Sequence, residues 1–489
     1  MVRVYWTTKA QRALRAALAG RLGSVNCHAC CRAAAPRRCS RKVRHCLALL
    51  KGILAGTFPK AKAVIVQDRF QGYRPTAAIH VLLVEVLGAK RPGPYIVKIG
   101  EKREMINELN GWRCCRLHLS GRDQVFLPLQ RGFRDGGLMS LIYGNAQQFI
   151  GVESISFEKA LLQSVYFGYP QASSICHVLL ELYERLGHLL YRHWYVDDPA
   201  RPQGDPTVRP RRFVFYVRHL AEVMRHWEEN PRLHEIRCEA DAAEHGPSSF
   251  VDPLDYLHYV QSLVRWRDDE GIVHKPESAV SAPDQPSPAQ LVPRMLRGQA
   301  HGDLHGRNIL VGIVDGRAIW PAVFDYEDMG VNNLIGWDFV KLETELKTRA
   351  YAELFRTATG PGNPGGPGPR FVTAVQDFEM ALAEATEDYH QSGSWPSPRD
   401  AATPLERLHD VLIELRHMAC LHMGIKRHRP TDWLEEYYFI LLCYGICTGR
   451  FPNLHRREKL ATYVAAGVAA SRLNWPRVQL PRERLALGM

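Results

Sequence analysis

The chain is 489 residues long, with 46% hydrophobic and 23% charged residues and a formal net charge of +12. That is ordinary globular composition, enough for roughly two to four domains or lobes with cores of their own, and it excludes a fibrous or wholly disordered protein. The longest strongly apolar run, Tyr437 to Cys447, falls well short of the roughly 20 residues that span a bilayer, so the expectation is a soluble chain with no membrane partner.

Residues 1 to 60 hold thirteen Lys and Arg and no Asp or Glu, which leaves the rest of the chain close to neutral. Basicity concentrated in this way belongs to a leader and not to the body. Cys27, His28, Cys30, Cys31, Cys39, His45 and Cys46 offer zinc-ligand chemistry there, but their spacing fits no standard finger and the adjacent Cys30 and Cys31 blur the pattern. The favoured reading is a flexible Arg-rich leader, or a gene start placed too far upstream, with nucleic acid a partner only through it. Arg interrupts every apolar stretch, which excludes a secretory signal, while an organellar presequence stays open. The remaining cysteines are too sparse for a disulfide framework, so a reducing, cytoplasmic setting is expected.

AVIVQD (Ala63 to Asp68), AAIHVLLVEV (Ala77 to Val86) and PYIVKIG (Pro94 to Gly100) are β-rich runs in succession, the pattern of an antiparallel meander. Glu101 to Leu117 has helical spacing, with Met105, Leu109 and Trp112 on one face, and Gly137 to Ala146 is a further buried strand. Residues 61 to 146 therefore read β-β-β-α-β, a small α+β lobe. From Ser154 the period turns helical, and residues 147 to 356 are expected to form a larger helical lobe with an insert at about 196 to 293. Gly360 to Pro369 is a Gly/Pro connector, and residues 357 to 489 add helices near 371–391, 404–426, 432–447 and 456–473.

Residues 300 to 311, AHGDLHGRNILV, crowd polar groups ahead of an apolar run. ILVGIV is followed by Asp315-Gly316 and then RAIWPAVF, two apolar runs around the strongest short-range signal for a tight hairpin. The hairpin should bring Asp303, Asn308 and Asp325 together, although Asp303 and Asp325 are 22 residues apart. Two carboxylates and an amide oxygen beside a strand end suit Mg²⁺, which takes hard oxygen ligands and shares them with substrate phosphates. Zinc would want the histidines, but His301 and His305 stand on a loop with no helical HExxH.

H-G-D-L-H-x-x-N-I-L, a short hairpin and an F-D-Y-E strand end resemble the catalytic loop and metal-binding Asp of the aminoglycoside phosphotransferase and choline kinase group, relatives of the protein kinases. The likeness covers about residues 61 to 350. It implies an α+β, bilobal, protein-kinase-like fold, with a small antiparallel β-rich lobe and a larger helical one. It also implies Mg²⁺ and ATP or GTP as cofactors. Asp303 would be the catalytic base, and Asn308 and Asp325 would hold the metal. Lys98 would contact the nucleotide phosphates and pair with Glu108, or with Glu104 one turn earlier; the competing reading of Lys98 is a strand-end surface lysine. FQGYRPT, with the single glycine Gly72, would cover the phosphates, although an ordinary hairpin turn explains it nearly as well. Gly144 and Asn145 would stand at the hinge beside the adenine.

On the same resemblance His301 packs, and Asp338 in GWDFVKLE supports the catalytic loop. His305 and Arg307 are open between phosphate contact and a solvated loop edge. Glu327 and Asp328 would be placed to attract a cationic substrate, as FDYE resembles the choline-kinase version of this strand, although a solvated acidic turn is the favoured reading. Asp325 and Asp338 are 13 residues apart, too close for a long activation segment, which favours a small-molecule kinase over a regulated protein kinase. The expected activity is transfer of the γ-phosphate to a hydroxyl of an aminoglycoside, sugar or amino-alcohol. A nucleotide-binding regulatory module without transfer, and a protein-directed kinase, remain the alternatives.

Overall fold

The computed structural model describes residues 2–12, 14, 35–70, 80–90, 92–115, 125–144, 152–197, 220–242, 251–263, 266–267, 273–274, 292–356 and 368–473. Gly72 and Asn145 lie outside the described residues, as do Cys27 to Cys31. The chain is α+β. In order its elements are β1 (Arg3–Trp6), α1 (Ala35–Thr57), β2 (Ala63–Phe70), β3 (His80–Leu87), β4 (Gly93–Glu101), α2 (Lys102–Cys115), β5 (Leu129–Asp135), β6 (Leu138–Tyr143), β7 (Glu153–Ser156), α3 (Phe157–Phe167) and α4 (Ala172–Leu189). There follow β8 (Trp194–Asp197), α5 (Leu220–Glu229), α6 (Pro231–Ala242), α7 (Pro253–Leu263), β9 (Trp266–Arg267), β10 (Val273–His274), β11 (Met295–Ala300), β12 (Ile309–Val314), β13 (Arg317–Val323) and β14 (Gly330–Leu334). The last are α8 (Ile335–Leu354), α9 (Gly368–Ser392), α10 (Pro404–Ala419), α11 (Asp432–Gly449) and α12 (Arg456–Ser471).

Contacts divide the chain into two compact units, one of Met1–Leu161, Tyr169–Arg192 and Gln299–Val331, the other of Leu162–Gly168, His193–Gly298 and Asn332–Met489. The first unit is built on a six-stranded sheet in the order β1-β2-β3-β4-β6-β5. All neighbours are antiparallel except β1 on β2. Because side chains alternate along a strand, Val97 and Ile99 of β4 fall on one face and Lys98 on the other. The Val97 face joins Val64, Val66, Leu82 and Val84 in a core closed by Leu50, Ile53 and Leu54 of α1. Each of those three α1 side chains is at most 1% exposed and contributes about 1.5–3 kcal/mol relative to exposure.

Part of the segment expected to be a flexible leader thus has a fixed place, as strand β1 and helix α1. The physical reason is the sheet: the face of β3 and β4 that carries Leu82, Val84, Val86 and Val97 is apolar, and without α1 it would meet water. Within residues 61 to 146 one further strand, β5, goes beyond the expected β-β-β-α-β order, and β7 lies at the start of the region expected to be helical. β7 adds to the hairpin of β12 and β13 in a second sheet. In the hairpin Val314 pairs with Arg317 across Asp315 (φ +48°) and Gly316 (φ +76°), the two left-handed residues that a tight two-residue turn requires. A bulge between Leu310 and Gly312 places Trp320 at φ +55°.

The second unit is mainly helical. β8 and β11 pair antiparallel within it. Its helices α8, α9, α10 and α11 surround a buried ionic cluster, in which Arg416 meets Glu343 at 2.7 Å and Lys347 meets Glu343 at 2.5 Å and Glu379 at 2.8 Å. Helix α9 starts at Gly368, inside the expected connector, with Pro369 in the first turn, where a missing N–H costs nothing. The helix expected over 404–426 ends at Ala419, gives way to a π turn (Cys420–Gly424) and then a 3₁₀ turn (Ile425–Arg427), and stops at His428 with φ +55°. Among the described residues no helix is long and apolar enough to cross a membrane.

Candidate functional site

Lys98 sits in the middle of β4, between Val81 of β3 and Leu141 of β6. A lysine there is out of water, at 2% exposure, so its ammonium must be paired. It is paired twice: Nζ lies 2.7 Å from Glu108 Oε2 and 2.7 Å from Asp325 Oδ1. Glu108 reaches it from the middle of α2, fully buried, whereas Glu104 one turn earlier is not its partner.

The helix approaches so closely because residue 111 is glycine: a Cβ there would come within 2.0 Å of the Tyr326 carbonyl oxygen. Trp112 stacks on the Tyr326 ring at 4.9 Å, and the Tyr326 N–H is 3.4 Å from Glu108 Oε1. The Tyr326 hydroxyl donates toward the Leu127 and Val323 carbonyls, which leaves Tyr326 buried as a post under the strand end. Asp325, just before it, is left-handed at φ +67°, a conformation of order 1–3 kcal/mol above the ordinary one for a non-glycine residue. Its N–H donates to the Tyr143 hydroxyl at 3.2 Å, and Tyr143 ends β6.

The turn before β12 supplies the remaining groups. Asn308 Nδ2 donates to the Asp303 carbonyl at 3.0 Å and to Asp303 Oδ2 at 3.2 Å, while the Asn308 carbonyl accepts from Phe324 N–H at 3.1 Å. The hairpin ladder therefore runs one step past Ile309 and Val323 and sets Asn308 against the residue that precedes Asp325. His301 is fully buried and spans the same two chain segments. Its Nδ1 accepts from Asp303 N–H at 3.3 Å and its Nε2 is 3.3 Å from the Phe324 carbonyl, which fits a neutral ring with the proton on Nε2.

His305 Nε2 lies 3.7 Å from Asp303 Oδ2. Arg307 Nε lies 3.3 Å from a carboxylate oxygen of Glu158 at the start of α3. Gly144 follows β6, buried, and donates to the Pro128 carbonyl at 2.6 Å. Asp338 is fully buried in the first turn of α8, in the second unit. Tyr143, Tyr326 and Gly111 carry no motif, and the sequence reading passes over them; the only sequence signal for Tyr326 is its place inside FDYE.

One ammonium serves two carboxylates in this cluster, and the electrostatics follow. Burial alone would lower the Lys98 pKa, but Asp325 and then Glu108 outweigh it and hold the ammonium well above its ordinary range. Glu108 is pushed up, first by burial and also by the like charge of Asp325, against the downward pull of Lys98. The excess negative charge is what a divalent cation would neutralise. Among the described residues Asp325 uses one carboxylate oxygen for Lys98, and Asn308 uses its amide nitrogen for Asp303, so that Asp325 Oδ2 and Asn308 Oδ1 carry no hydrogen bond. Two uncommitted hard oxygens on facing chain segments fit Mg²⁺. Among the described residues no group of three or more His, Cys, Asp or Glu could hold a metal ion.

No family model matches the chain, and no curated protein sequence does. Among the solved structures that match the chain is a Plasmodium vivax ethanolamine kinase, 12% identical over 81% of this chain and 80% of that chain, with a TM-score of 0.30.

Proposed function

We propose that the chain is a phosphotransferase of protein-kinase-like type, which moves the γ-phosphate of ATP or GTP to a hydroxyl of a small molecule of aminoglycoside, sugar or amino-alcohol type. The observation that carries this reading is the Lys98 ammonium, buried and held at 2.7 Å by both Glu108 and Asp325. A lysine fixed between a helix carboxylate and a strand-end carboxylate is the arrangement that phosphoryl transfer uses to hold nucleotide phosphates beside a metal.

Lys98 offers its remaining N–H to phosphate oxygens while Glu108 fixes its direction. Asn308 Oδ1 and Asp325 would hold Mg²⁺, which, when bound, neutralises charge on the phosphates. Asp303 accepts or orients the proton of the attacking hydroxyl. Asn308 Nδ2 keeps the Asp303 carboxylate in one rotamer, and His301 ties the backbone of Asp303 to that of Phe324. Because the transition state is loose, positioning and charge neutralisation matter more here than the basicity of Asp303.

The test is nucleotide turnover with and without Mg²⁺, using ATP and GTP against a panel of amino-alcohols, sugars and aminoglycosides. Asp303→Ala should abolish turnover and leave nucleotide binding intact. Turnover at the wild-type rate in that variant would overturn the assignment, and binding without turnover in the wild type would favour a nucleotide-binding module.

A further inference from the structure

The two ends of the six-stranded sheet are finished differently. At one end β5, LQRGFRD, is bulged between Arg131 and Arg134, and Arg131, Arg134 and Asp135 stand exposed along it. Bulges and charges of this kind keep an edge strand from pairing with another chain. At the other end β1, RVYW, runs in unbroken register with β2, from Arg3 opposite Ala63 to Trp6 opposite Val66, with one charged residue and no proline. The Arg3 N–H donates to the Lys62 carbonyl and the Thr7 N–H to the Val66 carbonyl, so in this parallel ladder Arg3, Tyr5 and Thr7 turn their backbone groups towards β2. Val4 and Trp6 turn theirs away, to a side where no other described strand lies. The Trp6 carbonyl accepts from Gln11 Nε2 at 3.3 Å, which leaves the Val4 N–H and C=O and the Trp6 N–H along the edge.

We propose that this edge takes up an extended segment of a partner protein as a further strand, and that the segment alternates acidic and apolar residues. Side chains on the two faces of β1 set that alternation. Val2, Val4 and Trp6 pack against the first unit's core, so every second residue of an added strand meets apolar surface. On the other face Arg3 is exposed and Tyr5 is 49% exposed. Lys62, whose carbonyl holds Arg3, and Arg12, next to Gln11, are exposed at the two ends of the strand, and residues 1 to 60 contain no Asp or Glu. Glu85 of β3, on the face of Tyr5, lies two strands across and accepts from Gln67 at 2.7 Å. Main-chain bonds would supply the affinity of such an added strand, and the alternate side chains its selectivity. A second copy of this chain is the weaker occupant, because two β1 strands set edge to edge bring two basic, acid-free segments together.

The experiment is fluorescence anisotropy of the full chain with a labelled peptide of alternating Glu and Val, about eight residues long, and with two versions of it N-methylated on alternate sets of residues. An added strand bonds through every second residue, so one N-methylated version should lose about 10-fold or more in affinity while the other binds like the parent. Val4→Pro removes the outward N–H and spares the bonds of Arg3, Tyr5 and Thr7 to β2. It should weaken the parent peptide by about 3–10-fold with the melting temperature little changed. Arg3→Glu should weaken it as well, and a peptide of alternating Lys and Val should not bind. Should Val4→Pro fail to fold, the N-methylated pair still decides. Equal binding of the two N-methylated versions overturns the proposal. So does a Lys-Val peptide that binds as tightly as the Glu-Val one, or a wild-type chain that binds neither. Sedimentation of the chain alone tests the other occupant: dimers that Val4→Pro dissociates would give the edge to a second copy and overturn the partner.

Discussion

Each unit buries an ionic cluster, and the two are built to opposite accounts of charge. In the second unit Glu343 and Glu379 face Lys347 and Arg416, two against two, with hydroxyls of Tyr437 and Tyr351 completing the carboxylates. In the first unit Lys98 alone faces Glu108 and Asp325. The titrations follow this difference. Burial would raise Glu343, yet Arg416 and Lys347 overcome it and pull the carboxyl down to about 2, whereas Glu108 is pushed up. The balanced cluster closes on itself and joins four helices; the unbalanced one is left with a carboxylate in excess. Asp325 is also 22% exposed, whereas every charged side chain of the second cluster is at most 6% exposed, so an open edge and a surplus carboxylate separate the candidate site from a structural joint.

Mutation should break the comparison along that line. Asp303→Asn or Asp325→Asn should lower phosphoryl transfer by about 10²–10⁴-fold, measured at saturating nucleotide. Both should leave the melting temperature unchanged or slightly raised, since each removes negative charge from a site with too much of it; Asn also tolerates the left-handed backbone at 325. Glu343→Gln should do the reverse. It leaves Arg416 and Lys347 buried with half their counter-charge and should cost about 3–5 kcal/mol in chemical denaturation, against transfer activity retained by the molecules that stay folded.

Acid should sharpen the same contrast. Glu343, with its ordinary value of 4.5 lowered to about 2 by folding, contributes stability that is present above about pH 4.5 and is lost as the pH falls towards 2, about 3 kcal/mol in all. Glu108 runs the other way: its raised value makes its contribution greatest below the ordinary carboxylate range and lost as the pH climbs. Glu108→Gln should therefore flatten the high-pH side of the stability profile, and Glu343→Gln the low-pH side. Glu108→Gln should carry the smallest stability change, within about 1 kcal/mol near neutral pH, because Asp325 still holds the Lys98 ammonium at 2.7 Å.

The hairpin with Asp303, Asn308 and Asp325 around it is legible in the sequence because its signals are local: an Asp-Gly turn, two apolar runs, polar residues at both ends. Lys98 is legible for a related reason, since a lysine amid Ile-Val and Ile-Gly has to be either a strand end or a buried pair. The meander of β2, β3 and β4 follows from alternation. Helix α1 is harder to read: Leu50, Ile53 and Leu54 carry the helical period, but thirteen basic residues around them suggest a solvated leader, and only the bare face of the sheet shows what they cover. β5 is mostly exposed, so its sequence, LQRGFRD, lacks the apolar alternation of a half-buried strand. The Tyr143 hydroxyl on Asp325 and the Glu158 partner of Arg307 depend on strand register and on contacts more than 140 residues apart, which no local pattern encodes.

Gly111 has one further consequence. Within five residues α2 is tied to the FDYE turn three times, by Glu108 to the Tyr326 N–H, by the bare backbone of Gly111 against the Tyr326 carbonyl, and by Trp112 on the Tyr326 ring. A rod pinned at three successive points cannot pivot about any one of them. The Lys98–Glu108 pair is therefore braced from three neighbouring points on one helix.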